Sequence, residues 1–350
     1  MDIQTKDTVV VSIAALREIS CALFERVGLE ATGAKQATEP LLDADMRGIA
    51  SHGCARLPVY IERLQKGYIN AVPHIRVLAH SMATTLLDGD NGLGMVVATT
   101  AMEHAIEQAR VAGASFVGVR QSNHFGAGAY YAAMALPHDM IGVVLTVSNL
   151  NTMAPWGGVD RLLGNNPIAC AIPTWQEPPV IYDGALSVVA LATIHLLAHE
   201  GVGEIPDGWA LDKNGAPTQS IEEAQKGTLV PIGTYKGTSL AFLISLVAGA
   251  LTGAAFGSEV ADRNVGHCFI AISVRAFSDP SQFRKKVDRA VREIREAKTR
   301  NTAEPPRVPG EQGLRMFENA RKTSQLTMSL KTIERIRALA ATLGVAASGI

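Results

Sequence analysis

The sequence predicts a mixed α/β protein, with helices at both ends of the chain and a mixture of strands and helices in the middle. Apolar residues recur at intervals near 3.6 over the first 66 residues and again after residue 310, which is typical of amphipathic helices. Between these ends, short apolar runs alternate with helical segments and with turn clusters such as Asp88–Gly92, as expected where strands and helices mix.

The bulk composition of this 350-residue chain excludes several classes of protein. At about 150 residues per domain, the length suffices for one large domain or two ordinary ones. Lys and Arg number 32 and Asp and Glu 33, so the net charge of −1 favours neither a nucleic acid nor an anionic membrane surface as a partner. The four cysteines stand far apart, without disulfide or zinc spacing, and we expect reduced thiols in a cytoplasmic protein.

The two ends of the chain are predicted to fold together into one mostly helical domain, made from residues 1–82 and 300–350. The spacing of apolar residues marks three helices near the start of the chain and two near its end. These helices are Val11–Phe24, Thr32–Met46, Leu57–Leu64, Glu311–Arg321 and Leu330–Leu343. Three prolines between residues 305 and 309 form a linker before the last two helices.

Residues 83–299 are predicted to form a second domain of mixed structure. Short runs of apolar residues indicate strands, one of which precedes this range. The predicted strands are Ile75–Leu78, Thr85–Leu87, Ser115–Val119, Ile141–Val147, Ile168–Ile172, Val180–Tyr182 and His267–Ser273. The predicted helices are Val96–Val111, Ala127–Leu136, Ser187–Ala198 and Ser281–Lys298. A polar stretch with several Gly and Pro, residues 201–228, is predicted to be mostly loop.

One segment, Gly237–Ser258, carries no charge over 22 residues, which is long enough to cross a bilayer. A membrane helix is therefore the alternative that length alone allows. The segment contains four glycines and several Ser and Thr, and it has no counterpart elsewhere in the chain. We predict a buried helix that begins near Thr238 and no membrane partner.

Two common cofactor signatures are missing from the sequence. The nearest match to the glycine pattern of a Rossmann fold is Gly126–Tyr131, in which Tyr131 stands where the third small residue is needed. The P-loop pattern does not occur. His195 and His199 lie one helical turn apart and could face a metal, but no third ligand is near them in sequence, so we expect no metal site.

Two polar clusters suit chemistry on a small acid. Ser51, His52 and Arg56 lie close together in sequence, and arginine matches a planar carboxylate while histidine exchanges protons near neutral pH. The alternative is a helix-capping serine beside a chance histidine. His124 lies in the segment Ser122–Gly126 after a predicted strand, where loop side chains are often functional. A polar turn is the alternative there.

Two charged residues stand at the ends of predicted elements. Asp183 follows the strand Val180–Tyr182, where a carboxylate can orient a histidine tautomer. Lys236 precedes the long apolar helix and can hold a phosphate group. A surface lysine at a helix start is the alternative for Lys236.

Eight short segments stand in an order that matches a known family. They are Ser51-His52-Gly53 with Arg56 and Pro58, Asp88-Gly89 with Gly92, Ser122-Asn123-His124-Phe125-Gly126, Ala154-Pro155-Trp156-Gly157-Gly158, Gly164-Asn165-Asn166-Pro167, Asp207-Gly208-Trp209-Ala210, Tyr235-Lys236-Gly237 and Val308-Pro309-Gly310-Glu311. Each segment is weak alone, but the ordered set is specific. Over roughly residues 10–340 the chain resembles the type 2 malate/L-lactate dehydrogenase family of NAD(P)-dependent oxidoreductases.

The resemblance implies a fold and a reaction that composition does not show. It implies a non-Rossmann nucleotide-binding domain with a largely antiparallel sheet, and a helical domain formed from both chain ends. It also implies hydride transfer between a 2-oxo acid and a 2-hydroxy acid, with NAD or NADP as cofactor, a small carboxylate as substrate and a homodimer as the assembly. Reduction of cyclic imino acids is the first alternative, and a non-catalytic relative that binds a nucleotide or metabolite is the second.

The resemblance also implies roles for residues at matching positions. His52 is the implied proton donor with Asp183 as its partner, and His124 is a second candidate for the acid/base role. Arg56 would hold the substrate carboxylate, and Ser51 belongs to the same catalytic set. The residues implied to contact the nucleotide are Ser148, Val180, Ile181, Tyr182, Asp183, Gly184, Ala185, Tyr235, Lys236, Gly310, Glu311 and Gln312.

The chain departs from the family pattern near the positions expected to meet nucleotide or substrate. Leu186 replaces a common threonine, so a hydroxyl group is lost. The other departures near these positions are Ala192, Thr193, Thr238 and Ser239, and Ser245 replaces an acidic residue that is often found in the long helix. They bear on the identity of the substrate and on the choice between NAD and NADP.

Overall fold

A computed structural model describes residues 7–261, 263–300 and 305–350 of the chain. The first six residues of the predicted helical domain, and residues 301–304 beside its second boundary, lie outside this description. The helices are α1 (Ile13–Arg26), α2 (Ala31–Met46), α3 (Leu57–Gln65), α4 (Gly94–Ala112), α5 (Gly128–Ala133), α6 (Leu191–Glu200), α7 (Ile221–Lys226), α8 (Tyr235–Ile244), α9 (Pro280–Arg295), α10 (Glu311–Thr323) and α11 (Leu330–Leu343). The strands are β1 (Thr8–Ser12), β2 (Arg76–His80), β3 (Thr84–Asp88), β4 (Ala114–Ser122), β5 (Met140–Thr146), β6 (Ile168–Ile172), β7 (Val180–Gly184), β8 (Ala210–Leu211), β9 (Pro217–Thr218), β10 (Thr228–Leu229), β11 (Val265–Ser273) and β12 (Gln325–Ser329).

Seven strands form the central sheet in the order β2-β3-β4-β11-β5-β6-β7. Within the described chain, β3 and β4 run parallel and the other five neighbouring pairs of this sheet run antiparallel. A Rossmann sheet is mostly parallel, with strands joined by crossover helices. The sheet therefore confirms the predicted mixed class and its largely antiparallel, non-Rossmann character.

The centre of the sheet is β11, which comes from late in the chain and inserts between β4 and β5. Apolar side chains of this region form one core with α4 and α5, in which Val117, Val144 and Phe269 are nearly inaccessible to solvent. Burial of such side chains stabilises the sheet by about 1.5–3 kcal/mol each before entropy is counted. The loops that follow β4 and β5 are therefore attached to well-packed strands.

The helical layer has a separate core, which draws on α1, α2, α3 and α11 and so on both ends of the chain. The two ends also pair directly, because β1 runs antiparallel to β12 and Thr8 lies opposite Ser329. The predicted helix at Val11–Phe24 begins later than expected, at Ile13. Ser12 caps the helix by accepting a hydrogen bond from the Ala15 N–H, at 3.4 Å from its Oγ. The division into two domains stays a prediction.

The stretch 201–228 is mostly loop, as predicted, but it also contains short elements that the sequence pattern did not reveal. This stretch contains β8, β9 and α7, and together with β10 it forms a three-stranded antiparallel sheet in the order β10-β8-β9. Strands of two residues are too short to show periodicity, so the sequence pattern did not reveal them. The Ser220 side chain caps α7 by accepting the Glu223 N–H at 3.4 Å.

The long apolar segment is helical, but it is buried on one face and exposed on the other. It comprises α8, a π-helical stretch at Ser245–Gly249 and a final turn at Ala250–Thr252. Within the described residues, Tyr235–Thr252 is long and apolar enough to cross a membrane by length and composition alone, and 44% of it is buried inside the protein. The exposed apolar residues of this segment are Leu240, Phe242, Leu243, Leu246 and Leu251.

A tight turn between α2 and α3 carries the first polar cluster of the sequence. The Asp45 carboxylate, in the last turn of α2, accepts the backbone N–H of Cys54 at 2.8 Å. A Cβ atom on Gly53 would stand only 1.9 Å from Asp45 Oδ1, so glycine is needed here for space. Burial raises the pKa of Asp45 to about 7. This contact sets the path of the backbone between His52 and Arg56.

Replacement of Gly53 by alanine should destabilise the protein, because the new methyl group would overlap the Asp45 carboxylate. We expect the free energy of unfolding, measured in urea, to fall by about 1–3 kcal/mol. Gly203→Ala is the matched control, since a Cβ there would meet no atom within 4 Å. Equal unfolding free energies for the two variants would contradict the role given to this contact.

Candidate active site

A cavity of about 120 Å³ lies where the turn after α2 meets the ends of β4 and β5 and the start of α6. Its walls combine ionisable, polar and apolar side chains from all four parts of the chain. They include His52, Arg56, His124, Phe125, Thr146, Ser148, Asn149, Leu150, Asn165, Leu191, Ala192, His195 and His267. The lining carries the guanidinium of Arg56, and no acidic residue is found among the described residues of the lining, which favours an anion.

His52 and Arg56 lie in two successive short turns, Ala50–His52 and Cys54–Arg56, which lead into α3. The Ser51 hydroxyl lies 2.9 Å from His52 Nδ1, which fixes the orientation of the ring. Burial, and next the charge of Arg56, lower the pKa of His52 to about 4. The imidazole is therefore neutral near pH 7 while no anion is bound.

His124 stands beside His52, with the ring centroids 5.7 Å apart and the rings stacked. Its Nδ1 accepts the Gly126 N–H at 3.3 Å and lies 2.7 Å from the Tyr60 hydroxyl. Because a backbone N–H can only donate, the proton of the neutral ring is assigned to Nε2. Burial, and next the charge of Arg56, hold the pKa of His124 well below its usual value.

The Arg56 guanidinium lies 5.7 Å from the centroid of the Tyr60 ring. Its Nε is buried and has no hydrogen-bond partner among the described residues. A buried donor without a partner costs about 1–3 kcal/mol, so such atoms normally meet a ligand or water. A carboxylate bound in the cavity would satisfy this donor.

His267, on β11, was not singled out from the sequence, yet it forms the base of the cavity. It is completely buried, and its Nδ1 lies 2.6 Å from the Thr146 hydroxyl. Its Nε2 lies 3.0 Å from Ser122 Oγ and 3.2 Å from the Asn123 carbonyl oxygen. Burial lowers the pKa of His267 to about 3, so this ring stays neutral and ties the segment before His124 to the sheet.

The sequence also did not single out Tyr60, or the residues of α6 that line the cavity, as parts of the site. Tyr60 occupies an apolar position of α3, which looks like ordinary core spacing in the sequence. His195 was considered for a metal together with His199, but only His195 lines the cavity. Among the described residues, no group of three or more His, Cys, Asp or Glu converges as a metal site would require.

Asp183 lies at the end of β7 and faces the start of α5. Its carboxylate accepts the Ala129 N–H at 2.8 Å and also bonds the Gly128 N–H. Burial raises the pKa of Asp183 to about 6. Within the described chain its hydrogen bonds go to this backbone, and the His52 ring bonds Ser51 instead. The pairing of Asp183 with His52 stays a prediction.

A chain of hydrogen bonds links Ser148, which is predicted to contact the nucleotide, to segments next to other predicted contacts. The Ser148 hydroxyl donates to Asn165 Oδ1 at 2.7 Å, and the Leu186 N–H donates to the Asn165 carbonyl at 2.7 Å. The Ile232 N–H in turn donates to the Leu186 carbonyl at 3.0 Å. These bonds bring the end of β5, the segment after β7 and the turn before α8 to one region. Leu186 itself is buried in the adjacent core.

The turn at Gly310 packs on β7, which is an edge strand of the central sheet. The Ile181 N–H donates to the Pro309 carbonyl at 3.3 Å. Gly310 has φ +80°, and a Cβ there would stand 2.2 Å from the Ile181 carbonyl oxygen, so both conformation and space require glycine. The predicted segments Val180–Ala185 and Gly310–Gln312 are thus brought together.

Not every residue in those segments is available to a nucleotide. The Glu311 carboxylate, which is nearly buried, forms ion pairs with Arg295 and Arg315 at 3.3 and 2.5 Å, so it serves packing. Gln312 Oε1 accepts from Arg307 at 3.3 Å. By contrast, Tyr182 and Tyr235 have 40% and 55% of their surface exposed, and Lys236 is exposed beside Tyr235.

Comparison with known proteins identifies the family of this chain by its sequence. The family model described as malate/L-lactate dehydrogenase matches residues 11–337. The chain is 35% identical to malate dehydrogenase from Pyrococcus abyssi over 336 residues, which cover 92% of each chain. It is 34% identical to malate/(S)-sulfolactate dehydrogenase from Methanothermus fervidus, over 94% of this chain and 96% of that one.

The fold agrees as well. The solved structure of malate dehydrogenase from Pyrococcus horikoshii OT3 superposes with a TM-score of 0.90 at 31% identity, covering 99% of this chain and 98% of that one. Other relatives include dehydrogenases named for NAD(+) and for NADP(+). The sequence match along the chain and the shared fold lead to one conclusion: the chain belongs to the malate/L-lactate dehydrogenase family.

Proposed function

We propose that this dehydrogenase interconverts a 2-oxo acid and a 2-hydroxy acid with NAD or NADP, and that Arg56 and His52 hold and protonate the substrate. One observation carries the proposal. Among the described residues, the buried Arg56 Nε has no hydrogen-bond partner, and the cavity that Arg56 lines contains two stacked imidazoles and no acidic side chain. A small carboxylate is the ligand that such a site lacks.

The arginine supplies orientation for the substrate. A guanidinium and a carboxylate form two parallel hydrogen bonds, which fix the acid in one plane and one direction. The carbonyl carbon next to that carboxylate then lies beside the two histidines. The relatives' names, malate dehydrogenase and malate/(S)-sulfolactate dehydrogenase, support a 2-hydroxy acid as the reduced form of the substrate.

Electrostatics favours His52 over His124 as the proton donor. The pKa of His124 is lowered by burial and by Arg56, His52, His267 and Arg63, in that order, whereas among charges only Arg56 acts on His52. A bound carboxylate would offset the Arg56 charge, which raises the pKa of His52 and lets the ring take up a proton. His52 can then pass that proton to the carbonyl oxygen during reduction.

Ser148 in the cavity, together with exposed residues of β7 and α8, suits a nicotinamide dinucleotide. Ser148 faces the cavity, the exposed rings of Tyr182 and Tyr235 suit planar groups of the cofactor, and Lys236 suits a phosphate. When bound, the reduced cofactor supplies the hydride to the carbonyl carbon. The chain's own residues hold the acid, exclude water and provide the proton.

We propose in addition that the protein is a homodimer in which the exposed apolar face of the α8 segment is covered by a second copy. Five large apolar side chains share this face, and an apolar patch of this kind is typical of an interaction surface. Trp156 and Leu162 border an adjoining groove and are themselves 60% and 42% exposed. A second copy would remove this surface from water.

The wild-type protein should oxidise NADH or NADPH in the presence of at least one 2-oxo acid, followed at 340 nm. Arg56→Ala should lower kcat/KM by about 100-fold or more, and Arg56→Lys should restore only part of it because the bidentate bond is lost. Arg289→Ala, on the surface of α9, is the control and should leave kcat/KM unchanged. Turnover of cyclic imino acids alone, or nucleotide binding without any turnover, would contradict the proposal.

Removal of the His52 imidazole should reduce turnover while leaving the nucleotide site intact. We expect His52→Ala to lower kcat by about 100-fold or more, with unchanged NAD(P)H affinity measured by fluorescence titration. His124→Ala is measured in parallel and should retain more turnover than His52→Ala. If His124→Ala loses turnover and His52→Ala keeps it, the proton comes from His124.

The dimer can be tested by light scattering during size-exclusion chromatography. The wild-type protein should show twice the mass of the chain, and Phe242→Glu with Leu243→Glu should show the mass of one chain, because two charges on the apolar face oppose its burial. Val111→Glu, at an exposed position on α4, is the control. A wild-type monomer, or a double variant that remains dimeric, would exclude this face as the interface.

A further inference from the structure

His195 projects from α6 into the cavity that also holds His52 and Arg56. The helix packs against the short turn Ala50–His52, so His195 approaches the site from a different element than the catalytic cluster does. Burial, and next the charge of Arg56, lower the pKa of His195, which shows that the two groups share one electrostatic environment. His195 has no part in the reaction as derived above.

Two other imidazoles of the cavity already have hydrogen-bond partners. Both ring nitrogens of His267 lie within hydrogen-bond distance of protein groups, and Nδ1 of His124 accepts the Gly126 N–H. Within the described chain, the His195 ring makes no hydrogen bond. The His195 ring is therefore available to a ligand. The substrate carboxylate is assigned to Arg56 and the substrate carbonyl to His52, so neither group needs His195.

We propose that His195 is a specificity-determining residue, which contacts a second acidic group at the far end of the substrate. The inference rests on the proposed function, because it takes the first carboxylate to be held by Arg56 and the carbonyl to lie beside His52. We place the substituent on the next carbon toward another part of the lining, where Leu150, Leu191, Ala192 and His195 lie.

Leu150, Leu191 and Ala192 are apolar, and His195 is the member of this set that favours an acidic end group. His195 can donate an N–H to an anion and can take up a proton when the added negative charge raises its pKa. Among the described residues that line the cavity, none is acidic and could compete for it. A 2-oxo acid with a methyl end would leave the ring unused, whereas a dianionic acid would engage Arg56 at one end and His195 at the other.

A comparison of substrates of different charge tests this inference. The kcat/KM values of wild type, His195→Ala and His195→Gln are measured with pyruvate, which has one acidic group, and with oxaloacetate and 3-sulfopyruvate, which have two. The nucleotide is kept saturating. His199→Ala, four residues along the same helix and outside the cavity, is the matched control.

We expect wild type to prefer a substrate with two acidic groups. His195→Ala should lower kcat/KM for that substrate by about 10-fold or more, mainly through KM, while the value for pyruvate changes by less than about 2-fold. His195→Gln should keep part of the preference, because its amide still donates a hydrogen bond. The two dianions identify whether the acidic end group is a carboxylate or a sulfonate.

Three results would overturn the inference. One is an equal loss for all three substrates, which would indicate a general structural role. Another is a raised KM for the nucleotide, which would place His195 at the cofactor, and the third is a wild-type preference for pyruvate. If wild type turns over some 2-oxo acid, each of these results leaves the proposed function standing. If it turns over none, the proposed function fails and this inference fails with it.

Discussion

The site depends first on the contact between the Asp45 carboxylate and the turn at Gly53 and Cys54. His52 precedes this turn and Arg56 follows it. The backbone can lie this close to the Asp45 carboxylate only because residue 53 has no side chain. The carboxylate bonds a backbone N–H, so it holds the path of the chain and leaves the functional side chains free. The spacing of an imidazole and a guanidinium in the cavity follows from this one buried carboxyl group.

A second constraint comes from the sheet. Because β11 lies between β4 and β5, His267 can bond Thr146 on one neighbour and Ser122 on the other, and it places His124 beside His52. The result is a buried site in which the imidazoles are neutral and Arg56 carries the charge. Binding of an acid offsets that charge, so substrate binding and protonation of a histidine are coupled through one electrostatic field.

The sequence revealed those parts of the site that local motifs carry. His52, Arg56 and His124 stand in short polar segments, and the structure brings them into one cavity. Strand pairing over long distances was not visible, so β1 with β12 and the role of His267 were missed. A histidine within an apolar strand looks like any other core residue, and its partners Ser122 and Thr146 lie more than 120 residues away in sequence. The missing Rossmann glycine pattern indicated a fold other than Rossmann. The largely antiparallel sheet explains why that pattern is missing.

The most direct test of the account is a crystal structure of the protein with NADH or NADPH and oxamate, an unreactive analogue of a 2-oxo acid. We expect the oxamate carboxylate to accept hydrogen bonds from the Arg56 guanidinium, including its Nε, which has no partner among the described residues. We also expect the oxamate carbonyl oxygen to lie within hydrogen-bond distance of His52. Oxamate bound away from Arg56, or with its carbonyl turned from both His52 and His124, would contradict the central claim.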